Sequence, residues 1–195
     1  MTTAVIIYLH GFLSSPHSAK ARLVGDYLRA RAPRFDYVVP ALPEEPGYAL
    51  AAAERAVQEQ RLAGKTSIAL IGSSMGGFYA TVLAQRHGLR AVLINPSVRP
   101  HLRIHQFFGE NFNPYSGRRF VLNASHADEL AQLAPQRIID PENFWLLVQS
   151  GDLVLDYREA VQFYAGCKQT VEQGGDHQFQ GFERYLDGVV DFLSR

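Results

Sequence analysis

Gly72-Ser73-Ser74-Met75-Gly76 sets a serine at the centre of a Gly-x-Ser-x-Gly pentapeptide, between the apolar run 67–71 and the helix-prone run 78–87. Strand, sharp turn and helix in that order mark a nucleophile elbow. So tight a turn strains its central residue, and glycine at 72 and 76 removes side chains that would collide. The chemistry on offer is attack by a serine oxygen. A serine hydroxyl is un-ionised near neutral pH, so it needs a neighbouring base, itself oriented by a third group.

Of the seven histidines, only His177 follows the last expected strand, in the loop after Gly174-Gly175-Asp176. It is the candidate base. Two carboxylates compete to orient it, within Ser150-Gly151-Asp152-Leu153-Val154-Leu155-Asp156. Asp152 comes directly off the strand 144–148, whereas Asp156-x-x-Glu159 reads as a capping box opening a helix over 157–164. Asp152 is therefore favoured. Asn95, after the preceding strand, carries no charge with which to stabilise an imidazolium. His10-Gly11-Phe12 closes the first strand, and the backbone N–H groups of Phe12 and Met75 are the expected oxyanion donors, Met75 at a helix N-terminus. His10 reads as a structural hydrogen-bonding residue. His101 and His105 are four apart but lack a third ligand and the glutamate of a zinc-protease motif, so no metal site is expected.

These groups need a scaffold. Continuously apolar, β-branched runs at 4–9, 37–41, 68–71, 91–94 and 144–148, with a weaker one at 169–172, read as strands buried inside a parallel sheet. Helical periodicity lies between them: Leu23, Val24, Tyr27 and Leu28 before strand two, the alanine-rich stretch 49–62, and a stripe from Phe182 to Leu193. The expected fold class is α/β, a mainly parallel sheet of about six strands with helices on both faces, in one domain over 1–195. Residues 97–143 interrupt the alternation and read as a short lid or substrate-binding insertion. Within it, Ser125-x-x-Asp128 predicts a cap for a short helix and Asp140-Pro141 a further turn. Phe107, Phe108, Phe112 and Tyr115 suit either an apolar acyl pocket or core packing. Arg103, Arg118 and Arg119 suit either an anionic leaving group or a solvated face.

Composition narrows the function classes. The 195 residues are 47% apolar, with 19 basic and 19 acidic side chains and no like-charge run. That balance argues against a nucleic-acid surface or a polybasic membrane patch. Cys167 is alone and reads as a buried, inert thiol. Residues 4–9 are too short for a signal peptide or a membrane span, so the expected location is cytoplasmic. The glycines at 72, 76 and 77 do not make a dinucleotide-binding spacing.

With these residues assembled, the chain resembles the α/β-hydrolase superfamily. It resembles more closely the small YqiA-like esterases, through Tyr8-Leu9-His10-Gly11-Phe12, Ser14-Ser15-Pro16, Lys20-Ala21, Gly72-Ser73-Ser74-Met75-Gly76-Gly77, Asn95-Pro96 and Gly151-Asp152. The resemblance implies hydrolysis of carboxylic esters or acyl thioesters without a cofactor, with Ser74, Asp152 and His177 as triad and a small-molecule substrate. It assigns no role to Ser14, Ser15 or Lys20; Ser15 and Pro16 are expected to initiate a helix running to about residue 30. Another acyl or carbon–carbon hydrolase on the same triad is the nearest alternative, and a non-catalytic hydrolase-fold binding module a more distant one.

Overall fold

Successive residues of a strand face opposite sides of its sheet, so a strand apolar at every position requires cover on both faces. That requirement organises the computed structural model, which describes residues 3–195. In chain order the elements are β1 (Ala4–Leu9), α1 (Ala19–Arg31), β2 (Phe35–Val38), α2 (Pro46–Leu62), β3 (Ser67–Ser73), α3 (Met75–His87) and β4 (Arg90–Ile94). A hairpin, β5 (Gly109–Phe112) and β6 (Arg119–Leu122), follows, then α4 (Ala124–Leu133), β7 (Phe144–Gln149), α5 (Tyr157–Phe163), β8 (Lys168–Glu172) and α6 (Leu186–Leu193). Six strands form one sheet in the order β2-β1-β3-β4-β7-β8, parallel at every pairing.

The period of two along β1 separates two cores. Val5, Ile7 and Leu9 join Leu70, Leu93 and Leu146 under α2, α3 and α5, represented by Leu50, Phe78 and Ala160. Ile6 and Tyr8 join Ile71, Ile94 and Leu147 under α1 and α6, represented by Leu28 and Val189. Helices therefore cover both faces, as the sequence predicts. From β1 the chain winds outward one way to β2 and then the other way through β3 to β8. β1 and β3 thus flank the switch point, where their carboxyl ends leave a crevice.

Several boundaries differ from expectation. The second strand is Phe35–Val38, earlier than the expected 37–41, because its partners on β1 are Ala4–Ile7 and Pro40 has no N–H to continue the ladder. Ser15 and Pro16 do not initiate α1; they form a turn in which Ser18 N–H donates to Ser15 O at 3.1 Å, and the helix begins at Ala19. The cap of α4 is Asn123 rather than Ser125. Its Oδ1 accepts from Ser125 N–H at 3.0 Å, and its own N–H donates to Nδ1 of His126 at 3.1 Å. Asp156 does cap α5, accepting from Arg158 N–H at 3.0 Å, but Glu159 turns away to Arg103 instead of closing a box.

The interval 97–143 holds the hairpin, α4 and three short 3-10 turns, all outside the main sheet. The hairpin was not expected. Its strands are short and only Phe120 and Leu122 are buried, so they carry no buried-strand signature. Glu44, 6% exposed, fastens its tip: the carboxylate accepts from Asn113 Nδ2 at 2.7 Å and from Arg118 Nη1 at 2.8 Å.

The tightest contact in the fold lies at the elbow. A Cβ on Gly76 would stand 2.0 Å from the Leu9 carbonyl oxygen, and one on Gly72 would stand 2.4 Å from the Gly76 carbonyl oxygen. Both obstacles are backbone, which cannot swing aside as a side chain does. Gly76→Ala is therefore expected to cost about 3 kcal/mol or more, lowering the melting temperature by roughly 6–12 °C. A thermal melt within 2 °C of the parent would contradict this packing.

Candidate active site

β3 delivers Ser74 to the crevice. Its backbone takes φ 55° and ψ −121°, a conformation that costs about 1–3 kcal/mol. The surroundings hold it there: Ser74 N–H donates to Ile94 O at 3.0 Å, and Ser74 O accepts from the N–H groups of Gly77 at 2.9 Å and Ser97 at 3.0 Å. The serine at the centre of the elbow is thus fixed from β4 as well as from its own helix.

Ser74, His177 and Asp152 come from three separate segments and meet in one line. His177 Nε2 lies 3.0 Å from Ser74 Oγ, and His177 Nδ1 lies 2.7 Å from Asp152 Oδ2. Asp152 can only accept when ionised, so Nδ1 carries the proton and Nε2 is left to accept from the serine hydroxyl. The other carboxylate oxygen, Oδ1, accepts from the backbone N–H groups of Val154 at 2.8 Å and Leu155 at 2.9 Å. Burial pushes the Asp152 carboxyl up. The His177 hydrogen bond and charge and the two backbone N–H groups outweigh it and hold the group below the usual carboxylate range. Asp156 is not part of the line; its carboxylate is spent on the start of α5 and on the Arg158 guanidinium.

Phe12 and Met75 both border the cavity beside Ser74. Met75 is the first residue of α3, so its N–H has no partner within the helix. Gly11 lies close under the serine, and a Cβ there would stand 3.3 Å from Ser74 Cβ. His10 is buried and structural in its contacts: Nδ1 donates to Gly11 O at 2.9 Å and Nε2 accepts from Leu42 N–H at 3.2 Å. Burial pushes its pKa down, in keeping with a neutral ring that both donates and accepts.

Three buried or half-buried polar residues that the sequence did not single out for this purpose hold the His177 loop. Asn95 sits at φ 41°, a region asparagine tolerates. Its Nδ2 donates to the carbonyls of Asp176 at 3.0 Å and His177 at 3.1 Å, and its Oδ1 accepts from Gln149 N–H at 3.1 Å. The side-chain oxygen of Gln149 accepts from the N–H groups of Asp176 at 3.1 Å and Gln180 at 2.8 Å. On the far side Lys20 Nζ donates to Gln178 O at 2.7 Å. In the sequence Asn95 stood as the uncharged residue where an acid might have stood and Lys20 only as a motif residue without a role, and Gln149 left no trace.

Two clefts meet at Ser74 and His177. One, about 290 Å³, is mostly apolar and is lined by Phe12, Met75, Pro100, Ile104, Phe107 and Leu155 among others. The Phe107 ring packs edge-on against Phe12, with centroids 5.0 Å apart. The second, about 370 Å³, opens on the α1 side and has a mixed lining, somewhat more polar than apolar, with Tyr115 on its wall. Phe108 and Phe112 line neither cleft and are exposed, so neither is a core residue. Arg118 is committed to Glu44 and Glu45, Arg103 to Glu159, and Arg119 lies over the Phe112 ring. The Cys167 thiol is pushed up to about 11 by burial, away from thiolate chemistry. Among the described residues no group of three His, Cys, Asp or Glu side chains could hold a metal ion, and no helix is long and apolar enough to cross a membrane.

The fold recurs among solved structures. Est1E from Butyrivibrio proteoclasticus superposes with a TM-score of 0.73 at 14% identity, over 98% of this chain and 89% of that one. Alpha/beta hydrolase domain-containing protein 10 from mouse gives 0.71 at 16% identity, over 97% and 89%. The esterase domain of a Rhodothermus marinus protein gives 0.70 at 16%, over 98% and 87%. At such identities the likeness establishes an α/β-hydrolase fold. In sequence, the model of the uncharacterised protein family UPF0227 matches residues 5–194, so the chain belongs to that family, built on an α/β-hydrolase fold.

Proposed function

We propose that the protein is a serine esterase that hydrolyses carboxylic esters or acyl thioesters through an acyl-enzyme. The observation that carries this reading is the hydrogen-bonded line from Ser74 Oγ through the His177 imidazole to the Asp152 carboxylate. His177 Nε2 takes the Ser74 proton as Oγ bonds to the acyl carbon. The resulting oxyanion is held by the N–H groups of Phe12 and Met75. The tetrahedral intermediate collapses as the acyl–oxygen or acyl–sulfur bond breaks, and the imidazolium returns the proton to the departing alcohol or thiol. Water then attacks the acyl-enzyme with His177 as base, giving the carboxylic acid and free Ser74. Asp152 keeps the imidazole in the required tautomer and stabilises its charged form.

The apolar cleft beside Ser74 suits the acyl chain, with Phe107 and Ile104 on its wall. We assign residues 97–143 the role of a lid over that cleft, in a chain acting as one catalytic domain. The esterase names among the fold's relatives accord with this assignment.

Ser74→Ala is expected to abolish labelling by a fluorophosphonate probe and to remove nearly all hydrolysis of p-nitrophenyl butyrate. Labelling that survives the substitution refutes Ser74 as nucleophile. Asp152→Asn should lower kcat by about three to four orders of magnitude, whereas Asp156→Asn should change it by less than about threefold, since Asp156 contributes only a helix cap. The reverse order would exchange their roles.

Asp152 also sets a pH dependence of stability. Its folded-state pKa is depressed, so as pH falls the unfolded chain takes up this proton first. Its contribution is complete above the ordinary carboxyl range near 4 and is lost as pH falls through the folded value. Thermal melts from about pH 6 down to about pH 3 should show a steeper loss for the parent than for Asp152→Asn. Parallel curves would show that this carboxylate is not held in ionised form.

A further inference from the structure

Ser74 and His177 face two clefts, one mostly apolar and one of mixed lining, and the acyl chain accounts for only the apolar one. The second runs between the Gly11–Ser14 loop and the start of α1, and three basic side chains border it: His17, Lys20 and Arg22. No acidic side chain is on its wall. The Arg22 guanidinium has neither ion pair nor hydrogen bond among the described residues. The Lys20 ammonium, half-buried, gives one proton to Gln178 O at 2.7 Å and keeps two. No carboxylate among the described residues lies within ion-pairing distance of Lys20; Asp176 acts on it only from further off, its own oxygens accepting from Gln178 N–H and Gln180 Nε2. Elsewhere near the site the cationic groups are paired: Arg103 with Glu159, and Arg118 with Glu44 and Glu45. A half-buried ammonium keeping spare donors, beside two uncommitted basic groups, is matched by an anion. The exposed Tyr115 side chain on the same wall adds a hydroxyl.

We infer that this cleft is the subsite for the alcohol or thiol half of the substrate, and that it selects leaving groups carrying a carboxylate or a phosphoryl group, held by Lys20 with Arg22. This rests on the esterase reading for its place in the reaction, but not for its existence as an anion site. Bond cleavage at Ser74 would leave the acyl chain on the apolar side and release the anionic alcohol into the basic cleft. Lys20 joins the two functions, since the carbonyl it grips belongs to the residue after His177.

The test separates binding from turnover. By calorimetry with the intact protein, 4-hydroxyphenylphosphonate and 4-hydroxybenzoate should each bind at least about tenfold more tightly than neutral 4-hydroxyacetophenone, the order expected for a charge-assisted hydrogen bond. That preference should shrink with added salt. Comparing the two anions distinguishes a phosphoryl from a carboxylate preference. Lys20→Met should remove most of the preference, Lys20→Arg should keep it, and Arg22→Gln should reduce it severalfold. In turnover, the ratio of kcat/KM for 4-phosphonophenyl butanoate over 4-acetylphenyl butanoate should fall about tenfold in Lys20→Met. Equal binding of anionic and neutral phenols by the parent overturns the anion site. A Lys20→Met variant that loses activity on both esters in equal proportion, with its binding preference intact, assigns Lys20 to positioning the His177 loop alone and overturns its role as the anion's ligand. If the phenols bind as expected but fluorophosphonate fails to label Ser74 in the parent, the esterase reading fails while the anion site stands.

Discussion

The site depends on how closely helix α3 approaches the ends of β1 and β3. The Gly76 Cα sits where an added carbon would meet the Leu9 carbonyl at 2.0 Å, and that closeness lets the helix begin directly under the crevice. Any side chain at 72 or 76 would push α3 off the sheet and carry Met75 and Ser74 with it. The unfavourable backbone of Ser74 is sustained because hydrogen bonds from three directions and the buried Phe78 and Leu83 of the same helix over-determine it. The strain is the consequence of packing, and the exposed hydroxyl is the consequence of the strain.

A second layer of constraint acts on the imidazole. The His177 loop leaves the sheet after β8 and has no regular structure of its own, so its position is determined by polar groups that would be costly to leave unpaired. Asn95 and Gln149, each 2% exposed, satisfy nearly all their hydrogen-bonding capacity on that loop and on each other. Buried amides of this kind specify one arrangement because an alternative would strand a donor or acceptor in a low-dielectric interior. Lys20 closes the same loop from α1. The result is a base held from β4, β7 and α1 together, aimed at a serine from β3.

The two sides of Ser74 differ for reasons of chain path. The apolar side is built by 97–143, whose Phe107 packs on Phe12 and whose hairpin tip is fastened by the buried Glu44 carboxylate. Asn113 also donates to Ser14 O at 3.3 Å, linking the hairpin to the loop that carries the Phe12 amide. The polar side is built by the entry into α1, where basic residues stand without acidic partners.

The sequence by itself determined the parallel α/β sheet and the two-faced cover by helices, and it singled out Ser74, Asp152 and His177 as the candidates that the fold brings into one hydrogen-bonded line. Each is a local or periodic property: an apolar run, a helical stripe, a glycine spacing, a residue at a strand end. The capping role of Asp156 was legible because it is written within four residues. Tertiary structure alone decided the rest. The hairpin β5–β6 escaped because its short, largely exposed strands show no periodicity, and α4 was given the wrong cap because Asn123 and Ser125 are equally good caps in isolation. Gln149 and Glu44 were silent, and Asn95 and Lys20 had no legible role, because their partners lie 23 to 158 residues away along the chain, the extremes being Gln149 to Glu172 and Lys20 to Gln178. No spacing rule reaches across that distance; only the closure of the sheet brings such groups within a hydrogen bond of one another.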